Sequence, residues 1–352
     1  MASASDQIHD GGLRTVYGDT PVTVRLSSKA SPFRRVHARH SFMIRKRSEF
    51  PESSFVTRIR SIGVIGIPHN VGWKGEGIDE GPAALRKAGI VRQLIQVADV
   101  VVDLGDVKAN LPSRDDTNPR LLNPYQVVAV CKAVAPRVKS ACEQGHFPLI
   151  LGAEDSIIMG IVEGLAQGIG ETIGLIYLDA HGDFNTPETT PSGLIGGMDV
   201  AVLAGRGPDL LTNIFGHKPQ LQEEQIAIFG ARDLDPPERE MLKESKVHLY
   251  TMDKVRELGP ENAMKEATER LLRTSRRIYI HIDIDVLNPN EIGATQLPVP
   301  GGLGLTECSN ALRVVSQSGK LCGLAVMVFN PHKDPNGREA MKLNQLIVNS
   351  LR

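Results

Sequence analysis

Two short runs of residues carry donor atoms at a spacing that suits a divalent cation. The first, Leu178-Asp179-Ala180-His181-Gly182-Asp183, follows an apolar stretch at 172–178 that reads as a strand. Alternate residues of an extended chain point the same way, so Asp179, His181 and Asp183 are expected on one side. The second, His281-Ile282-Asp283-Ile284-Asp285, lies in the apolar run 277–286, where Asp283 and Asp285 are expected to share a face. Buried carboxylates two residues apart repel each other unless a cation compensates. One such Asp or His is as readily a cap or a satisfied hydrogen bond, but two clusters at strand ends are harder to explain that way. Several carboxylates with one imidazole favour Mn²⁺ or Mg²⁺, with Zn²⁺ or Fe²⁺ as alternatives.

The elements that must position these clusters are legible from residue 58 onward. The runs 61–67, 100–104, 147–151, 172–178, 225–229, 247–250, 277–286 and 323–329 are apolar and rich in strand formers. Helical patterns separate most of them. Gly81-Pro82 opens one, followed by Ala84, Leu85, Ala88 and Val91 at helical spacing; others cover 125–143 and 261–274. Repeated βαβ units with nearly continuous apolar strands predict an α/β fold, a mainly parallel sheet between two helical layers. One domain over 58–352 is expected. Ligands of such sheets bind beyond the carboxyl ends of the strands, where both clusters lie.

Composition narrows the function classes. The chain has 352 residues, 41% apolar and 23% charged, with a formal net charge of -1. That balance is ordinary for a globular protein and gives no electrostatic reason to bind nucleic acid or an anionic membrane. Apolar runs such as 127–131 and 148–151 are far too short to span a bilayer. Cys131, Cys142, Cys308 and Cys322 lack paired spacing, which argues against a zinc ribbon or disulfide scaffold and fits a reducing compartment. The segment 1–57 differs: between Thr20 and Ser48 it has no acidic residue and carries Arg25, Lys29, Arg34, Arg35, Arg39, Arg45, Lys46 and Arg47. It reads as a disordered basic extension of a cytoplasmic protein, with a mitochondrial transit peptide as the alternative.

The same motifs resemble those of the arginase (ureohydrolase) family. DAHGDFNTP at 179–187 and HIDIDVLNP at 281–289, followed by PVPGGL at 298–303, look like two of its metal motifs. GAEDS at 152–156 stands where the family usually has GGDHS; GIDEGPAALRKAG at 77–89 and GARDLDPPE at 230–238 match further segments. The resemblance covers about residues 58–340 and identifies the chain as a divergent member. It implies a homotrimer or homohexamer using two Mn²⁺ ions to hydrolyse guanidino or amidine carbon–nitrogen bonds, with a place in arginine metabolism. Carried over by position, Asp155, Asp179, Asp183 and Asp283 would hold one ion. Asp179, His181, Asp283 and Asp285 would hold the other. Asp183 would also hold the attacking water, as the catalytic residue. Asn185 and Ser192 match residues that bind the substrate α-carboxylate, and Asp235 one near its α-amino group.

Four departures bear on the substrate. Asp155 replaces the histidine of GGDHS. Val328, in Val328-Phe329-Asn330-Pro331, replaces the glutamate of EVNP that pairs with the guanidinium. Gly196, in SGLIGG at 192–197, replaces a histidine that carries protons. Gln296 and Leu297 change the pocket wall. A cation facing valine loses a charged hydrogen bond worth about 1.5–3 kcal/mol. The expectation is therefore a hydrolase of an arginine-like guanidino or amidine compound, with ordinary L-arginine disfavoured and one metal ion as an alternative to two. The competing expectation is a binding or regulatory subunit with impaired catalysis.

Overall fold

The computed structural model describes residues 59–352 together with the strand Val22–Arg25. The expectations for the rest of 1–57 fall outside the described residues. Nine strands form one sheet: β1 (Val22–Arg25), β2 (Ile59–Ile67), β3 (Ala98–Asp106), β4 (Phe147–Gly152), β5 (Ile173–Leu178), β6 (Ile226–Ala231), β7 (His248–Thr251), β8 (Arg277–Asp283) and β9 (Leu321–Met327). Their order is β1-β3-β2-β4-β9-β8-β5-β6-β7. β1 runs antiparallel along the edge at β3, and every other pairing is parallel.

Every residue of β5 and β6 is buried, as strands covered on both faces must be. The two-residue period of each strand divides its side chains between two cores. Ile176, Leu178, Ile280, Ile282, Leu324 and Val326 pack with helices Pro260–Leu271, Leu305–Gln317 and Arg338–Ser350. Leu175, Tyr177, Tyr279, Ala325 and Met327 pack on the opposite side, with helices Pro124–Glu143 and Ile158–Ile169. Those two helices approach closely because Gly160 and Gly164 leave room. A Cβ at either would lie 2.5 Å from the carbonyl oxygen of Cys131 or Ala135.

The sheet places the motif residues side by side. β4, β9, β8 and β5 are consecutive in the sheet, and Asp155, Val328, Asp283 and Asp179 stand at or just beyond their carboxyl ends. β5 and β8 pair Leu178 with Ile282, so Asp179 and Asp283 follow as neighbours. Two expected strands end early. The run 277–286 is strand only to Asp283 and then turns through the 3₁₀ segment Ile284–Val286. The cause is local: the Asp283 carboxylate accepts the backbone N–H of Asp285 at 2.7 Å, which closes a turn. Asp283 and Asp285 therefore reach the site from a strand end and a turn, not from one strand face. The run 323–329 ends at Met327, and Val328 adopts a left-handed backbone with φ of 64°.

Candidate metal centre and substrate pocket

Asp179, His181 and Asp285 form the tightest cluster of donors. Their ligand atoms all lie within 4.8 Å of one another. His181 Nδ1 is 3.1 Å from Asp179 Oδ1 and 3.2 Å from Asp285 Oδ2. The His181 backbone N–H donates to Asp179 Oδ1 at 2.6 Å, and the Ala180 N–H donates to Asp285 Oδ1 at 3.0 Å. Asp179 Oδ2 is buried with no hydrogen-bond partner. A buried carboxylate oxygen left open beside an imidazole and a second carboxylate is a donor set that a divalent cation completes.

The other three expected ligands line the same cavity, but each carboxylate also accepts a hydrogen bond. Asp155 Oδ1 lies 2.9 Å from His281 Nε2. Asp183 Oδ2 accepts the Tyr177 hydroxyl at 2.5 Å. Asp283 Oδ1 takes the Asp285 N–H. A carboxylate has two oxygens, so each keeps one for a cation while the other is held in place. Among the described residues Asp179, His181 and Asp285 form the compact donor group, and Asp155, Asp183 and Asp283 line the same cavity beside it. The 179–183 segment is not a regular extended run, because Asp183 has φ of 47°, yet its three side chains still meet in the cavity.

Electrostatics favours a cation in the same place. Burial, followed by repulsion from Asp179, raises Asp155 and Asp183 well above the usual carboxylate range. Burial and the neighbouring Asp285 do the same to Asp283. Asp285 is pushed up to about 6 by burial and by Asp179. Burial opposes charge on His181, but its hydrogen bonds to Asp179 and Asp285 outweigh this and raise it to about 12. Without a metal the imidazolium supplies the positive charge that the carboxylates require. As a ligand His181 must be neutral, so a cation would displace that proton.

The cavity above these groups has a volume of about 230 Å³. Asn185, Ser192 and Asp235 line it. Asn185 Nδ2 donates to Asp235 Oδ2 at 3.0 Å, and its oxygen accepts the Thr189 hydroxyl at 2.9 Å. Ser192 Oγ accepts the Leu194 N–H at 3.2 Å and lies 3.4 Å from the Thr190 hydroxyl. Gly196, Gln296, Leu297 and Val328 also line the cavity. Glu154 accepts the N–H groups of Gly72 and Ser156, each at 3.0 Å, and the Ser156 hydroxyl at 2.7 Å. It ties the loop bearing Trp73, another lining residue, to the end of β4. His69 bonds the Val107 carbonyl oxygen and is not among the lining residues.

Several groups around the site escaped sequence reasoning. His281 is fully buried, stacked on Tyr177 with ring centroids 5.1 Å apart, and burial lowers it to about 3, so it is a neutral hydrogen-bonding group and no ion pair. Tyr279 lies 2.8 Å from its Nδ1. Asp199 is fully buried, and neither carboxylate oxygen has a hydrogen-bond partner; burial, Asp155 and Asp179 raise its pKa. Glu238 lines the cavity and accepts the N–H groups of Phe184 at 2.8 Å and Asp235 at 3.2 Å. Period-two alternation along β8 was the available signal for Tyr279 and His281. Asp199 gives no signal, because its burial depends on packing among distant segments.

Comparisons with known proteins bear out the fold. The model of the Arginase family matches residues 60–351. The arginase of Bacillus subtilis (strain 168) is 35% identical over 292 residues, covering 82% of this chain and 98% of the relative. The arginase of Brevibacillus brevis is 34% identical, covering 78% and 92%. The solved structure of arginase from Bacillus caldovelox superimposes with a TM-score of 0.78 at 32% identity, over 83% of this chain and 98% of that one. A match that spans the whole described core, together with the carboxylate–imidazole centre at the strand ends, shows that this chain belongs to the arginase family.

Proposed function

We propose that this protein is a metal-dependent hydrolase that cleaves a carbon–nitrogen bond of a small arginine-like guanidino or amidine compound. One observation carries the reading: a single cavity joins the Asp179, His181 and Asp285 group to Asn185, Ser192 and Asp235. Asp155, Asp179, Asp183 and Asp283 would hold one Mn²⁺, and Asp179, His181, Asp283 and Asp285 a second. Such ions acidify a water molecule and polarise the bond under attack. The chain's own groups do the rest. Asp183 keeps Oδ2 on the Tyr177 hydroxyl, and the two lone pairs of Oδ1 would serve the cation and a hydrogen bond from the attacking water. Asn185 Nδ2 and Ser192 Oγ donate to a substrate carboxylate, and Asp235 accepts from its ammonium group. Val328 puts an apolar side chain where a cationic guanidinium needs a partner, which disfavours ordinary L-arginine and favours a modified reacting end.

By the same resemblance the assembly is a homotrimer or homohexamer. A cytoplasmic setting is the reading, with the basic stretch before residue 48 supporting a mitochondrial alternative. Among the described residues no helix is long and apolar enough to cross a membrane.

A second reading, a binding or regulatory subunit, draws support from Val328, Gly196 and the capped carboxylates of Asp155 and Asp183. The deciding experiment incubates the Mn²⁺-reconstituted protein with a panel of guanidino and amidine amino acids and follows the products by NMR. Turnover of at least one, abolished by chelation and by Asp179→Asn, is the expected result. Metal bound at the centre without turnover of any compound would favour the binding subunit.

A further inference from the structure

We infer that His281 is a positioning residue, which with Tyr279 fixes the Asp155 carboxylate as a ligand of the centre. The inference rests on the metal-dependent reading above. It starts from the alternation of β8: Tyr279, His281 and Asp283 stand two residues apart, so their side chains leave the same face of the sheet. Tyr279 joins the core beside helices Pro124–Glu143 and Ile158–Ile169. His281 stands between it and the site, and Asp283 is at the strand end. The result is a buried chain of contacts, Tyr279 Oη to His281 Nδ1 at 2.8 Å and His281 Nε2 to Asp155 Oδ1 at 2.9 Å.

Hydrogen-bond chemistry assigns the direction of this chain. A neutral imidazole donates from one nitrogen and accepts at the other. An ionised Asp155, the form that binds a cation, can only accept. Nε2 must then carry the hydrogen, Nδ1 must accept, and the Tyr279 hydroxyl must donate to it. The reverse tautomer would point the Nε2 lone pair at a carboxylate oxygen across 2.9 Å, which is repulsive. Tyr279 thereby selects the tautomer that His281 uses. The stack of His281 on Tyr177, with planes 11° apart, stops the ring from turning away.

Tyr177 carries the second arm of the same support, since its hydroxyl holds Asp183. Two neighbouring strands therefore send aromatic groups behind the centre to hold Asp155 and Asp183. Asp179, His181 and Asp285 have no such contact with this chain, so its loss should act on one cation and spare the other. Groups that orient a ligand in this way typically change metal affinity by about 10–100-fold when lost.

The test is Mn²⁺ titration of the metal-free, full-length protein, followed by EPR of unbound Mn²⁺. The wild type should bind two ions per protomer. His281→Leu should weaken one by about 10–100-fold and leave the other within a few-fold. His281→Gln, whose amide nitrogen reaches near the position of Nε2, should recover most of that loss. Tyr279→Phe should weaken the same ion by a smaller factor. If His281 acts through Asp155, the effects of His281→Leu and Asp155→Ala on that ion must be non-additive. Equal weakening of both ions, no weakening, failure of the Gln variant to rescue, or additive effects would overturn the inference. A wild type that binds one ion would overturn it and leave the hydrolase reading standing, whereas no bound ion would remove both.

Discussion

Stripping metal from this protein should invert the usual dependence of stability on pH. The perturbation is exhaustive chelation, followed by thermal melts between pH 4 and 9. Asp285 is fully buried, and its pKa is raised from 3.8 to about 6. One pKa unit corresponds to about 1.4 kcal/mol, so this residue alone removes about 3 kcal/mol of stability as pH rises from below 3.8 to above 6. Asp155, Asp183 and Asp283 are raised as well, so the folded state keeps their protons where the unfolded chain has lost them. His181, raised to about 12, acts in the same direction: its stabilising proton is fully counted below about 6.5 and is lost toward the folded value. Asp179, held low mainly by His181 against the cost of burial, matters only at the acid end. Stability of the metal-free protein should therefore fall steadily from about pH 4 upward. Mn²⁺ at about a hundred times its dissociation constant should restore about 2.7 kcal/mol, or about 4 °C in Tm at an unfolding entropy of about 2.1 cal/mol/K per residue over residues 59–352. At a fixed Mn²⁺ concentration that rescue should grow with pH, because the ligands must lose their protons to bind. A metal-free Tm that climbs between pH 5 and 8, or a Mn²⁺ shift independent of pH, would refute this reasoning.

Three further outcomes follow from single residues. Val328→Glu should strengthen L-arginine recognition by about 1.5–3 kcal/mol, read as about a 10–150-fold lower KM, with an unchanged KM counting against Val328 as a specificity residue. Gly182→Ala should destabilise the fold by about 1–3 kcal/mol in urea melts, because its Cβ would sit 2.8 Å from Leu234 Cδ2 and 2.9 Å from Glu238 Cδ. The thiols should be inert to a disulfide reagent at pH 7.5 until the protein is denatured, because Cys131, Cys308 and Cys322 are buried and burial pushes Cys142 up to about 11. Rapid modification of any one in the native protein would contradict that burial.

The sequence made the frame of this site readable because two of its periodicities survive in the fold. Unbroken apolar runs bounded by helical patterns became parallel strands, and the strand-end rule put Asp179, His181, Asp183 and Asp283 over one cavity. Local backbone chemistry defeated the finer reading. Asp283 closes a turn on the Asp285 N–H, and Asp183 and Val328 take left-handed conformations that no hydrophobic pattern announces. The groups behind the site were harder still. Tyr177 and Tyr279 read as ordinary core aromatics until their hydroxyls are seen on Asp183 and His281. Asp155 read only as an aspartate in place of the family's histidine, and the tertiary contact with His281 shows how it is held.

Metal content tests the central claim most directly. The protein should be reconstituted with Mn²⁺, freed of excess metal and measured by elemental analysis beside Asp179→Asn and Asp285→Asn. About two ions per protomer in the wild type, falling in both variants with loss of turnover, is the result predicted by a carboxylate–imidazole centre that performs hydrolysis. A wild type without bound metal, or variants that retain full metal and activity, would contradict it.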